Sequence, residues 1–99
     1  MDMHRNKYIL LIDDDEPLRD LVTEYLKGYG FKVNTLPDGV KAVETVAASP
    51  PDLIILDVMM PGPDGFEVLQ KLRAHTQVPV IMLTAKGDDA DRIVGLALG

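Results

Sequence analysis

Short apolar runs alternate with helical patterns along the 99 residues of this chain. Continuous apolar tetrads occupy residues 9–12, 53–56 and 80–83, and such runs are typical of strands buried on both faces of a parallel sheet. Residues 32–36 instead alternate between polar and apolar side chains, which predicts an exposed edge strand. The apolar pattern therefore predicts four strands.

Apolar residues at helical spacing follow each predicted strand. Gly28 or Gly30 would end the first helix, and Asp88 or Asp89 would cap the fourth. The order of strands and helices predicts an α/β fold, with right-handed crossovers and helices on both faces of a parallel sheet. The apolar faces of the four helices are Leu18, Leu21, Val22, Tyr25, Leu26 and Tyr29 in the first, Val40, Val43, Val46 and Ala47 in the second, Phe66, Leu69 and Leu72 in the third, and Ile93, Val94 and Ala97 in the fourth.

Composition narrows the class of protein. The net charge of −6 argues against direct binding of nucleic acid by this domain, because the phosphates would be repelled. The absence of cysteine excludes disulfides and thiolate metal sites and fits a reducing cytoplasm. No window approaches the roughly 18 consecutive apolar residues of a membrane span, and the polar N-terminus does not resemble a signal peptide. We expect one small cytoplasmic domain.

Three acids follow two of the predicted buried strands. Asp13 and Asp14 come directly after the first tetrad, and Asp57 comes after the third. If these strands are neighbours, their ends lie about 4.8 Å apart, and the crowded carboxylates require a proton or a cation. Oxygen ligands of this kind suit Mg²⁺. The alternative, that the acids only cap the next helix, fits Asp15 or Glu16 better than the whole set.

The segments after the third and fourth tetrads add further candidate groups. Residues 58–65 are rich in Pro and Gly, so the chain turns tightly there and can place the main-chain carbonyl of Met59 against a cation. Thr84 supplies a hydroxyl, and the small Ala85 leaves room for an approaching group. The set indicates phosphoryl transfer to a carboxylate, with Asp57 as nucleophile and Thr84 binding a phosphoryl oxygen.

Residues 9–19, 52–65 and 79–85 closely resemble the receiver domain of bacterial two-component response regulators, in motif order and spacing. The resemblance implies a flavodoxin-like fold and a phosphoacceptor signalling domain rather than an enzyme, although such domains catalyse their own phosphotransfer and dephosphorylation. It implies that Asp57 receives a phosphoryl group from a phosphohistidine on a sensor histidine kinase.

The same resemblance implies a role for each site residue. Asp13, Asp57 and the Met59 carbonyl would ligate Mg²⁺ directly, Asp14 would act largely through water, and Thr84 would be the switch hydroxyl. Residues 83–86 and 95–99 look most like regulators with a C-terminal winged-helix DNA-binding domain. Transcriptional regulation and DNA contact would then belong to a domain absent from this chain.

The chain departs from the family pattern at its C-terminal end. A full receiver continues into a fifth strand and helix, with a phosphate-pairing Lys and an aromatic switch residue on that strand. We therefore expect residues 1–99 to form a truncated receiver with sheet order 2-1-3-4, and Lys86 to be a solvated surface residue. The fourth strand would be an open apolar edge, which favours a homodimer through the strand 4 and helix 4 surface.

Two other function classes are weighed against the receiver hypothesis. A hydrolase of the haloacid-dehalogenase type also uses an Asp nucleophile with Mg²⁺, but it places a second acid two residues after the first. Here Val58 and Met59 follow Asp57, so that acid is missing. An inert pseudo-receiver used only for interaction is disfavoured by the intact acids, but the missing Lys leaves it open.

Overall fold

The structure is a computed structural model that describes residues 7–83 and the backbone of residues 93–97. Within these ranges it contains five strands and three helices. No helix of the described part is long and apolar enough to cross a membrane. In chain order the elements are β1 (Tyr8–Ile12), α1 (Glu16–Gly28), β2 (Lys32–Leu36), α2 (Ala42–Ala48), β3 (Leu53–Asp57), α3 (Gly65–Arg73), β4 (Val80–Leu83) and β5 (Ile93–Ala97).

The strands form one sheet in the order β2-β1-β3-β4-β5. The first four strands are parallel, which confirms the predicted order 2-1-3-4. Ile12 pairs with both Leu36 and Leu56, so β1 lies between β2 and β3. Leu83 pairs with Asp57, which brings the end of β4 beside the end of β3. The carboxyl ends of β1, β3 and β4 therefore meet at one edge of the sheet, called here the carboxyl edge.

The prediction of a fourth helix from Ile93, Val94 and Ala97 is wrong. These residues lie in β5, which pairs antiparallel with β4, Val80 opposite Ala97. A five-residue apolar segment fits either element by periodicity, and pairing with the free backbone edge of β4 favours the strand. The proposed caps Asp88 and Asp89 lie outside the described residues.

The pairing of β5 also corrects the expected open edge. The backbone of β4, which sequence reasoning left unpaired, is hydrogen-bonded to β5 along Val80 to Leu83, with an irregularity between Met82 and Leu83. An unpaired β4 edge was the physical reason for expecting a homodimer on this surface. That reason does not hold in this structure.

The apolar tetrads form the core, as predicted. All four residues of the first tetrad are at most 2% exposed, and β2 has the mixed exposure of an edge strand. Alternate residues of β1, β3 and β4 pack against α2 and α3, which contribute Val46, Val68 and Leu72. The buried cluster on this face also contains Leu10, Ile12, Ala42, Ile54, Leu56, Met60, Val80 and Met82.

Polar caps fix where α1 and α3 begin. The Asp15 side chain accepts a hydrogen bond from the Leu18 N–H, so Asp15 caps α1, as expected. Asp64 and Glu67 form a reciprocal capping box at α3. Both caps end loops that lead from a strand to a helix at the carboxyl edge, β1 to α1 and β3 to α3. They therefore define the two loops that carry the predicted site residues.

The helix limits agree with the sequence pattern in most places. α1 ends at Gly28, as predicted, and α2 ends at Ala48 with Ser49 as its C-cap. Val40 is an exception, since it precedes α2 and is 70% exposed. Phe66 lies in α3 but is exposed, while Val68 and Leu72 form the buried face of that helix. The predicted apolar face of α1 is not buried, and Leu21, Tyr25 and Tyr29 are exposed.

Candidate metal centre at the carboxyl edge

The three predicted carboxylates come together at the carboxyl edge. One carboxylate oxygen from each of Asp13, Asp14 and Asp57 lies within 4.8 Å of the others. Asp13 is 2% exposed and Asp57 is 7% exposed, whereas Asp14 is open to solvent. Since β1 and β3 are adjacent and in register at their ends, the residues that follow Ile12 and Leu56 must meet. Two of the three charges are thus held away from bulk water.

Asp13 is held at three points. Its N–H donates to the Leu36 carbonyl at 3.1 Å, which extends the β1–β2 contact by one residue. Its Oδ1 accepts a hydrogen bond from the Asp15 N–H at 2.9 Å. Its carbonyl oxygen accepts one from the Arg19 guanidinium at 2.8 Å. The backbone and one carboxylate oxygen are therefore fixed before any cation binds.

Asp57 is held by the loop that follows it. The Met59 N–H donates to Asp57 Oδ1 at 3.2 Å, and the Val58 N–H donates to the Leu83 carbonyl at 2.8 Å. The Gly65 N–H returns to the Val58 carbonyl at 2.9 Å, so the first residue of α3 lies against the end of β3. A β-carbon at position 65 would overlap the Asp57 carbonyl, and only glycine fits there.

Burial changes the protonation of the cluster. Burial raises the pKa of Asp57 to about 7, although the Met59 N–H opposes the shift. The charge of Asp13 and the contacts with Asp14 also contribute to this raised pKa. The pKa of Asp13 is also raised, again chiefly by burial. Three carboxylates this close together repel one another when ionised, and a hard divalent cation can neutralise them.

The carboxylates open into a cavity of about 170 Å³. Such a volume accommodates a hydrated cation together with a small anionic group. Its walls combine the acids with apolar side chains. The lining residues are Asp13, Asp14, Asp15, Leu18, Asp57, Met59 and Leu83.

The structure tests the remaining predicted site residues only in part. Met59 lines the cavity and binds Asp57 through its N–H, while the role of its carbonyl as a metal ligand stays a prediction. Thr84 lies outside the described residues, although its neighbour Leu83 lines the cavity. Lys86 also lies outside them.

Sequence reasoning missed two residues that support the site, Arg19 and Gly65. A basic residue near the start of a helix that follows three acids was an available signal for Arg19. The contact of Gly65 with Asp57 depends on the distance between α3 and β3, which no local pattern expresses.

Comparison with known protein families assigns the chain that carries this acidic cluster to a family. Residues 9–99 match the family model described as response regulator receiver domain. The chain belongs to the response regulator receiver domain family. The predicted resemblance is confirmed, and the hydrolase alternative is excluded.

Individual relatives agree with this assignment. The chain is 46% identical over 91 residues to the regulatory protein VanRc of Enterococcus gallinarum, covering 92% of this chain and 39% of the relative. It is 43% identical over 99 residues to the DNA-binding response regulator MtrA of Mycobacterium tuberculosis, covering 100% of this chain and 43% of the relative. The chain spans less than half the length of these two relatives.

Solved structures show the same fold. The BeF3-activated N-terminal receiver domain of Klebsiella pneumoniae RstA superposes with a TM-score of 0.77 at 34% identity, over 85% of this chain and 72% of that one. The chemotaxis protein CheY4 of Vibrio cholerae gives a TM-score of 0.78 at 32% identity, over 86% and 73%.

The family assignment gives the acidic cluster at the carboxyl edge a role. This chain is a phosphoacceptor signalling domain of a two-component system rather than an enzyme, and it has transcriptional regulators among its homologues. A two-component regulator implies a cognate sensor histidine kinase. Receiver domains bind a divalent metal at the acidic cluster that Asp13, Asp14 and Asp57 form here.

Proposed function

We propose that this domain accepts a phosphoryl group on Asp57 from a phosphohistidine of its sensor histidine kinase. The proposed cation is Mg²⁺, held by Asp13, Asp57 and the Met59 carbonyl, with Asp14 acting largely through water. The observation that carries the proposal is the convergence of three carboxylates within 4.8 Å at the carboxyl edge of a receiver domain. Oxygen ligands with room for water and a phosphoryl group are the set that Mg²⁺ prefers.

Burial distinguishes Asp57 from its two neighbours as the proposed acceptor. The Asp13 side chain is 2% exposed against 7% for Asp57, and Asp14 is open to solvent. Asp57 needs one oxygen for the cation and another for attack on phosphorus. The contact from the Met59 N–H to Oδ1 distinguishes the two oxygens and fixes the rotation of the carboxylate.

The proposed reaction transfers a phosphoryl group from an imidazole nitrogen of the kinase to a carboxylate oxygen of Asp57. A lone pair of an Asp57 carboxylate oxygen forms the new O–P bond while the P–N bond to the imidazole breaks. The bonding electron pair stays on the imidazole nitrogen, which then takes a proton from water. Asp57 must be ionised to attack, although burial favours its protonated form. Bound Mg²⁺ would supply the charge neutralisation for both the carboxylate and the phosphoryl oxygens.

Thr84 is the proposed switch hydroxyl. It follows Leu83, which pairs with Asp57 and lines the cavity. We infer from this neighbouring position in the sequence that the Thr84 hydroxyl binds an oxygen of a phosphoryl group on Asp57. Hydrogen bonding to that group would couple phosphorylation to the segment after β4.

The output is proposed to be transcriptional. A relative that carries a domain like this one is described as a DNA-binding response regulator. We infer that residues 1–99 act as the receiver portion of a longer regulator and that DNA is contacted by another domain. The net charge of −6 supports this division, and the absence of cysteine agrees with a cytoplasmic location.

Phosphorylation by acetyl phosphate tests the proposal. With Mg²⁺ present, the chain should gain one phosphoryl group by intact-mass measurement, and Asp57→Asn should gain none. Asp52→Asn is the matched control, because Asp52 stands at the other end of the same β-sheet segment and its carboxylate holds the Tyr8 N–H. Labelling of Asp57→Asn, or equal labelling of the wild type with the cation chelated, would contradict the proposal.

A further inference from the structure

Arg19 reaches from α1 back to the end of β1. Its Nη1 donates a hydrogen bond to the carbonyl oxygen of Asp13 at 2.8 Å, in a partly buried position. The guanidinium thus contacts the backbone of an acid that the metal centre uses. Neither the family assignment nor the carboxylate cluster accounts for this contact.

The position of Arg19 is unfavourable for the helix itself. Its N–H makes the first helical hydrogen bond, to the Asp15 carbonyl, so Arg19 stands near the positive end of the helix dipole. Cations favour the opposite end, where Lys27 lies in the last turn. The contact with Asp13 gives Arg19 a physical role at a place where helix formation does not favour it.

The geometry of Asp13 explains what this contact does. Peptide groups are planar, so the direction of a Cα–Cβ bond follows from the orientation of the two flanking peptides. The Leu36 carbonyl holds the peptide before Asp13, through the Asp13 N–H. Arg19 holds the peptide after it, through the Asp13 carbonyl. β1 ends at Ile12, so this second peptide lies beyond the strand.

We propose that Arg19 is a positioning residue of the metal centre, which holds the Asp13 carbonyl and thereby orients the Asp13 carboxylate for a divalent cation. This inference rests on the proposed function, since it concerns the same site. The peptide group that Arg19 contacts also contains the backbone nitrogen of Asp14. The orientation of both acids in the β1–α1 loop therefore depends on this contact. A planar guanidinium suits this role because its donors are fixed relative to one another.

A pure charge effect predicts the opposite result. A positive side chain near the centre repels a cation, so removing it by charge alone would tighten metal binding. Removing a positioning contact loosens metal binding, because the carboxylate must then be ordered when the cation binds. The sign of the change in affinity therefore separates the two roles.

Calorimetric titration of Mg²⁺ into the chain measures this sign. Arg19→Ala should weaken Mg²⁺ binding by about tenfold, a value at the low end for partners that orient metal ligands. Arg19→Lys keeps the charge and one donor and should fall between Arg19→Ala and the wild type. Arg73→Ala is the matched control, because Arg73 Nη1 also donates to a main-chain carbonyl, that of Thr76 at 3.3 Å. That contact lies at the end of α3, away from the carboxyl edge, and its loss should leave the Mg²⁺ affinity unchanged.

Thermal unfolding without metal completes the experiment. Arg19→Ala and Arg73→Ala should both lower the melting temperature, while only Arg19→Ala weakens Mg²⁺ binding. Unchanged or tighter binding in Arg19→Ala overturns the inference and leaves the proposed function standing. If Arg19→Ala does not fold, Arg19→Lys decides, and wild-type affinity in that variant overturns the inference. Absence of Mg²⁺ binding by the wild type overturns both.

Discussion

Gly65, the first residue of α3, lies against the backbone of Asp57, the last residue of β3. A β-carbon at position 65 would come within 2.7 Å of the Val58 Cα and would overlap the Asp57 carbonyl oxygen. The end of β3 is therefore placed by direct contact with the start of a helix. This contact therefore helps to fix the position of the Asp57 backbone, from which its carboxylate extends into the cavity.

Replacing this glycine should destabilise the fold. Gly65→Ala forces α3 away from β3, and overpacking of this kind costs about 1–3 kcal/mol. Helix propensity alone predicts a gain of roughly 1 kcal/mol, so the sign distinguishes the two effects. Urea denaturation of Gly65→Ala and Gly28→Ala measures it. Gly28 is the control because it is also helical and a β-carbon there meets nothing within 4 Å. Equal effects in the two variants would show that the contact is unimportant.

The stability of the metal-free domain should fall as pH rises from about 4 to about 7. The pKa of Asp57 is about 7 in the folded protein and 3.8 in the unfolded one, so between these values the folded state binds more protons. Asp13 acts in the same direction, because its pKa is also raised. Denaturant titrations across this range, in chelator, measure the slope.

Asp57→Asn should remove most of this pH dependence. It should raise the free energy of unfolding above pH 7 by roughly 1–3 kcal/mol, less than the full value of ~1.36 kcal/mol per pKa unit because solvent screens the open side of the cluster. Asp52→Asn, the matched carboxyl-to-amide change, should keep the wild-type slope. A flat wild-type profile would show that burial does not hold a proton on the cluster.

Mg²⁺ should stabilise the domain more at pH 8 than at pH 6. The cation competes with the proton for Asp57, whose pKa of about 7 lies between these two values. At a cation concentration of 100 times the dissociation constant, the gain is about 2.7 kcal/mol. Melting temperatures with and without Mg²⁺ at the two pH values test this, and Asp13→Asn should abolish most of the gain. An equal gain at both pH values would place the cation elsewhere.

Asp15→Ala should separate helix capping from metal binding. The Asp15 side chain caps α1 through the Leu18 N–H, so its loss should cost about 1 kcal/mol of stability. The contact between Asp15 and Asp13 uses the Asp15 main-chain N–H, which alanine retains. Mg²⁺ affinity, measured by calorimetry, should therefore change much less than in Asp13→Ala. Comparable losses of affinity would make Asp15 part of the metal centre.

Much of the fold follows from the amino-acid pattern because each feature is local. The apolar tetrads at residues 9–12 and 53–56 have to be buried on both faces, and a parallel sheet between helices provides that environment. Acids directly after two such strands must then meet if the strands are neighbours. Asp13, Asp14 and Asp57 could be named from the sequence on this ground, before any distance was known.

Other features depend on which segments come into contact in three dimensions. Residues 93–97 are apolar in a pattern that suits a helix or a strand, and the backbone of β4 selects the strand. The pKa of Asp57 rises because the fold removes water and brings Asp13 close to it. The hydrogen bond from Arg19 to the Asp13 carbonyl and the approach of Gly65 to Asp57 join segments across loops. Local periodicity carries no information about these distances, because they arise only when helices dock on the sheet.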